Sequence, residues 1–277
     1  MSSFAPSKRF SQNFLTDPST ANKIVDALQI IEGDVVLEIG PGTGVLTQRL
    51  LRSVAPSILA VDLDPRSIEH LRQQPWAKDK RLVLREGDAL AVVPEKEWPT
   101  ITRHHRLIIG NIPYSITSDL IFWAFHHHDS TSRAVIMMQR EVARRCVAQP
   151  GTKEYGVLSV ATWLYSEAKI LFHVQPGSFF PRPDVTSSVV RFMMRHKSAE
   201  DVDAERFMEF VRAAFSLRRK VLTNSLNDWA RRMQIDLRTN SIVAGVDLAK
   251  TRAEEHSPAI LSDLFKELVD RVSGASG

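Results

Sequence analysis

The chain has 277 residues, of which 43% are apolar and 25% charged, enough for one large domain or one large with one small, and too apolar for wholesale disorder. Its apolar runs, such as Ala134–Met138, fall far short of the roughly 18 residues a membrane span needs, and its one cysteine, Cys146, excludes an internal disulfide and a cysteine-built zinc site. Lys and Arg exceed Asp and Glu by 36 to 32, a net charge of +4 that favours a polyanionic partner.

In chain order, the segment Met1–Phe14 carries only Lys8 and Arg9 as charges and reads as neither a secretion signal nor a transit peptide, so a cytoplasmic protein is expected. Short β-branched runs follow at Val35–Ile39, Ser57–Asp62, Leu82–Leu84, Leu107–Ile109 and Ala134–Met138. Helical patterns separate them at Val45–Leu51, Pro65–Leu71 and Thr117–Phe125. Such alternation predicts an α/β fold with a parallel sheet covered on both faces. Two later runs, Ala168–Val174 and Ser187–Met194, suit an antiparallel pair and complete seven strands. Beyond Arg195 no strand-like run stands out. Helical stripes occupy Asp203–Phe215, Val221–Trp229 and Pro258–Val272. The expected division is therefore a domain over 1–197 and a small all-helical domain over 198–277. From Arg206 to Arg232, seven basic residues accompany two acidic ones. That excess suits RNA contact and equally suits a solvated helical face.

Glu38-Ile39-Gly40-Pro41-Gly42-Thr43-Gly44 follows the first strand directly, where glycines let the backbone turn and a ligand approach closely. Asp62 ends the second strand, 22 residues after Gly40, where an acid accepts the ribose hydroxyls of a nucleoside cofactor. The G-x-G-x-G spacing departs from the G-x-G-x-x-G of nicotinamide sites. S-adenosylmethionine, a sulfonium cation without a pyrophosphate, suits an acid-bearing loop better. Asp88, after the third strand, is placed to accept from an adenine amino group or to cap a turn.

The most specific motif is Gly110-Asn111-Ile112-Pro113-Tyr114, after the fourth strand. An exocyclic aromatic amine is a poor nucleophile because its lone pair is delocalised into the ring. The Asn111 side-chain carbonyl and the Ile112 backbone carbonyl, aimed at its two N–H bonds, favour a more tetrahedral nitrogen with a freed lone pair. Pro113 stiffens the turn and Tyr114 offers a face on which the base stacks. Such a base must be extruded or single-stranded, and Phe179 and Phe180 stand at the same end of the sheet, as a second wall or as core. The histidines at His104–His105 and His126–His128 read as solvated helix ends, and no metal site is expected.

These residues together resemble the ribosomal RNA adenine dimethyltransferases. The matches are Lys8-Arg9-Phe10-Ser11-Gln12-Asn13-Phe14-Leu15, the glycine loop, Gly110–Tyr114, and Phe179-x-Pro181-x-Pro183-x-Val185-x-Ser187. Ala214–Lys220, Asn224–Leu226 and Thr251–Pro258 are similar to the small-subunit branch rather than to the macrolide-resistance branch that modifies large-subunit (23S) RNA. The resemblance implies a seven-stranded Rossmann-like methyltransferase sheet with a C-terminal helical domain. It implies transfer from S-adenosylmethionine to N6 of two adjacent adenosines, twice each, in the 3′-terminal hairpin of 16S RNA in the small ribosomal subunit or its precursor. It carries cofactor contacts to Asn13, Leu15, Gly40, Asp62, Asp88 and Asn111, and base contacts to Asn111, Tyr114 and Phe179. Asp62 stands where the family usually has glutamate, and Ser11 where it usually has glycine. A monomer is expected, with no DNA target since no dedicated recognition region is visible. A non-catalytic assembly factor on the same scaffold is the alternative of a different class.

Overall fold

The computed structural model describes residues 13–196, 202–237 and 241–274. In chain order these form β1 (Phe14–Leu15), α1 (Pro18–Asp26), β2 (Val35–Ile39), α2 (Thr47–Leu50), β3 (Ser57–Asp62), α3 (Pro65–Arg72), β4 (Leu82–Glu86), α4 (Pro94–Glu97), β5 (Arg106–Asn111), α5 (Thr117–His126), β6 (Arg133–Gln139), α6 (Arg140–Cys146), α7 (Val157–Tyr165), β7 (Ser166–Val174), β8 (Phe179–Phe180) and β9 (Ser187–Met194). There follow α8 (Ala204–Ala214), α9 (Leu222–Ser225), α10 (Asn227–Arg232), β10 (Ile242–Val243), β11 (Val246–Asp247) and α11 (Pro258–Gly274).

The described residues fall into two compact units, 13–144 with Ser166–His196, and Arg145–Tyr165 with 202–274. The first is built on a seven-stranded sheet in the order β4-β3-β2-β5-β6-β9-β7. Strands β2 to β6 run parallel, and β9 is antiparallel to both β6 and β7. Every residue of β2 is buried, as are nearly all of β3, β5 and β6, because helices cover both faces; their sequences are accordingly continuous Val/Ile/Leu runs. Between β2 and β5 the winding reverses. The loops after these two strands diverge there and leave a crevice at the carboxyl ends.

Helix starts follow capping chemistry. Asp17 accepts from the Ser19 and Thr20 amides ahead of Pro18, Asp64 accepts from the Arg66 amide ahead of Pro65, and Asp203 accepts from the Arg206 amide. A small second sheet pairs β1 with β8, Phe14 opposite Phe180 and Leu15 opposite Phe179. Leu15 and Phe179 join Ile24, Leu28, Val174 and Val189 in the hydrophobic core.

The second unit is helical except for the hairpin β10–β11, so the expectation of an all-helical tail is corrected. Its strands have two residues each, too short for alternation to show, and they turn through Ala244 and Gly245, both at positive φ as a tight hairpin requires. The division at 197/198 differs from the compact units in one element. The segment Arg145–Tyr165 belongs with the helical unit, where the largely buried α7 packs against α8 and α11. Its centre is an aromatic cluster: Phe210 lies 5.1 Å from Trp229 and 5.7 Å from Phe265, and Phe207 lies 5.6 Å from Phe265.

The histidines are not simply solvated. His105 Nδ1 lies 2.8 Å from Asp34 Oδ1, His128 Nδ1 lies 2.8 Å from the Arg195 carbonyl, and His127 is buried against Trp123. Burial pushes the His127 imidazole below its ordinary value, against an upward pull from Glu95. Among the described residues no group of three or more His, Cys, Asp or Glu is arranged to hold a metal, and no helix is long and apolar enough to cross a membrane. Cys146 is free and buried, and burial pushes its thiol up to about 12.

Candidate active site

The crevice between β2 and β5 opens into a cavity lined by residues from four strand ends and from β1. The loop after β2 contributes Gly40–Thr43, the end of β3 contributes Asp62 and Leu63, the turn after β4 contributes Asp88–Leu90, and the turn after β5 contributes Asn111–Ile116. Asn13, Phe14 and Leu15 close one side. Of the positions singled out in the sequence, Asn13, Leu15, Gly40, Asp62, Asp88, Asn111, Ile112, Pro113 and Tyr114 all line this cavity. Lys8–Gln12 of the N-terminal motif lie outside the described residues.

Two glycines permit close packing around the cavity. Gly42 has φ +55°, and a Cβ there would stand 3.0 Å from the Phe14 ring. At Gly110, in β5, a Cβ would stand 2.9 Å from the Ile39 carbonyl oxygen, so only glycine lets β2 and β5 approach this closely beneath the cavity.

Asp62 ties the loop together. Its Oδ2 accepts from the Gly42 amide (3.2 Å) and its Oδ1 from the Asp64 amide (2.9 Å), while Ser67 Oγ donates to the Gly42 carbonyl (2.9 Å). Burial raises the Asp62 pKa, and the amide bonds pull the other way. Asp88 both lines the cavity and caps its turn, accepting from the Leu90 amide at 2.9 Å.

Asn111 ends β5, and its Nδ2 donates to the Asn13 carbonyl at 3.2 Å. With Nδ2 engaged, the amide offers Oδ1 as an acceptor. The next residues form a tight turn: the Pro113 carbonyl accepts from the Ile116 amide (3.2 Å) and from Thr117 Oγ1 (3.3 Å). The Tyr114 hydroxyl lies 2.8 Å from Ser187 Oγ. Burial raises the Tyr114 pKa and the Ser187 bond opposes it, so the phenol stays neutral near pH 7.

Phe179 departs from expectation. It is only 5% exposed, packs into the core beside Leu15, and is not among the residues lining the cavity. The register with β1 turns its side chain to the core face, and Phe180 to the other. Sequence reasoning also missed Phe14, Leu63 and Ile116 in the lining, and Ser187 as the partner of Tyr114. The signal for Ser187 was available: Ser187-Ser188 opens a largely buried strand and runs directly into Val189-Val190, where a hydroxyl needs a partner.

Beneath the loop, Glu38 is fully buried, and neither carboxylate oxygen has a hydrogen-bond partner among the described residues. Burial pushes its carboxyl up to about 8, and the nearby Asp62 carboxylate adds to the rise. Folding therefore keeps Glu38 protonated from about 4.5, its ordinary value, to about 8. Its contribution to stability is complete below the first value and is lost as pH rises through the second. Glu38→Gln is expected to melt higher than the parent protein by a margin that widens from pH 5 to pH 9, on the order of 5 °C at the alkaline end. Thermal melts across that range check this, and a pH-independent margin would contradict it.

Among the described residues the lining holds Asp62 and Asp88 and no Lys, Arg or His. A dinucleotide pyrophosphate finds no counter-charge among these described residues, whereas a nucleoside bearing a positive centre does. Apolar surface from Leu63, Leu90 and Ile112 is available to its base.

Comparison with known proteins agrees with this geometry. The profile of the family described as ribosomal RNA adenine dimethylase matches residues 4–268. The chain belongs to that family. Among the adenine dimethylases it is similar to the ribosomal RNA small subunit methyltransferase A of Chlorobaculum parvum, 39% identical over 95% of this chain and 90% of the relative. The protein of the same name from Chlorobium phaeobacteroides is 40% identical over 95% of this chain and 94% of the relative. Among solved structures, a dimethyladenosine transferase from Plasmodium falciparum superposes with a TM-score of 0.77 at 26% identity, covering 94% of this chain and 98% of that one. The 23S rRNA methyltransferase ErmE gives a TM-score of 0.68 at 27% identity, covering 92% and 99%. Membership makes the chain a methyltransferase with the Rossmann-like sheet of that family.

Proposed function

We propose that the protein methylates N6 of two adjacent adenosines, twice each, in the 3′-terminal hairpin of 16S RNA during small-subunit biogenesis, with S-adenosylmethionine as donor. The observation that carries the reading is the held Asn111 amide at the floor of an acid-lined cavity, in a chain whose full-length relatives bear the small-subunit name. Asp62 would hold the ribose of the donor, Asp88 its adenine amino group, and the Asn13–Leu15 segment and Gly40 its amino-acid portion. When bound, the donor supplies an electrophilic methyl group.

The remaining work belongs to the chain. Asn111 Oδ1 and the Ile112 carbonyl accept from the two N6–H bonds of the target adenine, which drives the nitrogen toward tetrahedral geometry and frees its lone pair. Tyr114, braced by Ser187, stacks on the base and orients the nitrogen. No general base is needed before transfer, because the N–H becomes acidic once nitrogen carries the new methyl; the same two acceptors then lead that proton toward solvent. Labelled transfer to unmethylated small subunits, with unmethylated large subunits in parallel, tests the reading. Label confined to the small subunit is expected, and label confined to the large subunit would overturn it.

The tail supplies backbone contacts. Arg219 and Lys220 are exposed, whereas Arg218 Nε lies 2.6 Å from Glu254 and its Nη2 donates to the Thr152 carbonyl (3.2 Å), so its charge is partly spent within the helical unit. Replacing Arg219 and Lys220 together by alanine is expected to weaken RNA binding and to reduce the slope of log affinity against log salt by about 1.5. Arg218→Ala is expected to lower the melting temperature more than it changes that slope. Titrations at several salt concentrations separate the two, and an unchanged slope for the double variant would return these residues to a merely solvated face.

A further inference from the structure

Phe14 and Phe180 are directly opposed in the β1–β8 ladder. Opposed residues of an antiparallel pair project to the same face, and their neighbours Leu15 and Phe179 project to the other, into the core. Phe14 lines the cavity. Phe180 therefore shares its face of the ladder with a residue of the cavity wall, and at 64% exposure it is the most exposed large apolar side chain among the described residues. Val185, 42% exposed, follows in the same loop. The same loop carries exposed Arg182, and the amide of exposed Arg140 donates to the loop's Thr186 carbonyl at 3.0 Å. Asp184 is the one opposing charge in the segment 180–186.

An exposed aromatic paired across a ladder with a cavity-lining residue, in a loop that carries an exposed arginine, suits a stacking platform for single-stranded nucleic acid, where every base offers a π face and a cation meets a phosphate. We propose that Phe180 stacks on the nucleobase next to the adenine held at Asn111 and Tyr114. This rests on the functional reading above. With two adjacent targets, one adenosine occupies the cavity while its neighbour waits outside, and Phe180 is the surface that receives the neighbour. Phe180 is thus a specificity residue for a dinucleotide, while Phe179 serves the core.

The test uses the full-length protein, the variants Phe180→Leu and Phe180→Trp, and unmethylated small subunits. Leucine keeps apolar area without a stacking face, and tryptophan restores the face. Phe180→Leu is expected to raise the KM for small subunits about tenfold, leaving kcat, donor affinity and melting temperature near the parent values, with Phe180→Trp returning KM to the parent range. In a target hairpin with 2-aminopurine beside the target adenosine, binding is expected to quench fluorescence with the parent protein and Phe180→Trp but not with Phe180→Leu. An active parent enzyme with unchanged KM and quenching in Phe180→Leu would overturn the role of Phe180 alone. A parent enzyme that transfers nothing to small subunits would overturn the functional reading, and this inference with it.

Discussion

Asn111→Ala is expected to lower methyl transfer by about three orders of magnitude while S-adenosylmethionine still binds within about tenfold of its parent affinity. The loss falls on the chemical step because Oδ1 acts on the target nitrogen, whose hydrogen bonds strengthen only as that nitrogen becomes tetrahedral. Removing one such preorganised partner typically costs about 10²–10³ in rate. The methyl side chain of alanine also releases the Asn13 carbonyl from Nδ2, which loosens the N-terminal wall of the cavity and accounts for the weaker donor binding. Single-turnover transfer beside calorimetric donor titration separates the two effects. Turnover within tenfold of the parent enzyme would sink the acceptor assignment, and complete loss of donor binding would show that Asn111 acts on the wall rather than on the base.

The second large effect is at Asp62. Asp62→Ala is expected to weaken donor binding by about 100-fold, since two hydrogen bonds from ribose hydroxyls to a charged acceptor contribute roughly 1.5–3 kcal/mol each before losses elsewhere. The same change strands the Gly42 and Asp64 amides, which donate to this carboxylate at 3.2 and 2.9 Å. A fall in melting temperature of several degrees accompanies it. Asp62→Asn keeps acceptor capacity on one atom and is expected to fall between. Calorimetry with the donor, paired with thermal melts, gives both numbers. Undiminished affinity in Asp62→Ala would mean that the carboxylate serves only the loop. Both Asp62 oxygens accept from the backbone of the glycine loop and of the turn into α3, so the ribose would meet a carboxylate already fixed in place.

The central sheet was legible because its strands are buried on both faces. Val35–Ile39 and Ala134–Met138 could be read as strands without alternation, since helices on either side demand apolar side chains throughout. The cavity was legible for a related reason. Its residues sit at the carboxyl ends of successive strands, so a motif that ends a strand run is already placed at the site. What escaped was structure fixed by pairing rather than by local pattern. Two-residue strands such as Phe14–Leu15 have no period to detect, yet their register decides that Phe179 faces the core and Phe180 faces outward. With a side-chain period of two, reading an adjacent Phe-Phe without its partner strand gives either answer. The helix Val157–Tyr165 was invisible as part of the tail because its membership depends on packing against α8 and α11, distant in sequence. His127 looked like one of three solvated histidines, but it caps the buried end of α5 against Trp123.

The most direct test of the account is mass analysis of the 3′-terminal 16S fragment after incubation of unmethylated small subunits with the protein and S-adenosylmethionine. The account predicts two neighbouring N6,N6-dimethyladenosines, about four methyl groups per subunit, and none with Asn111→Ala. Methyl groups at any other atom or on isolated adenosines, or a fragment unchanged in mass while the donor remains bound, would contradict it.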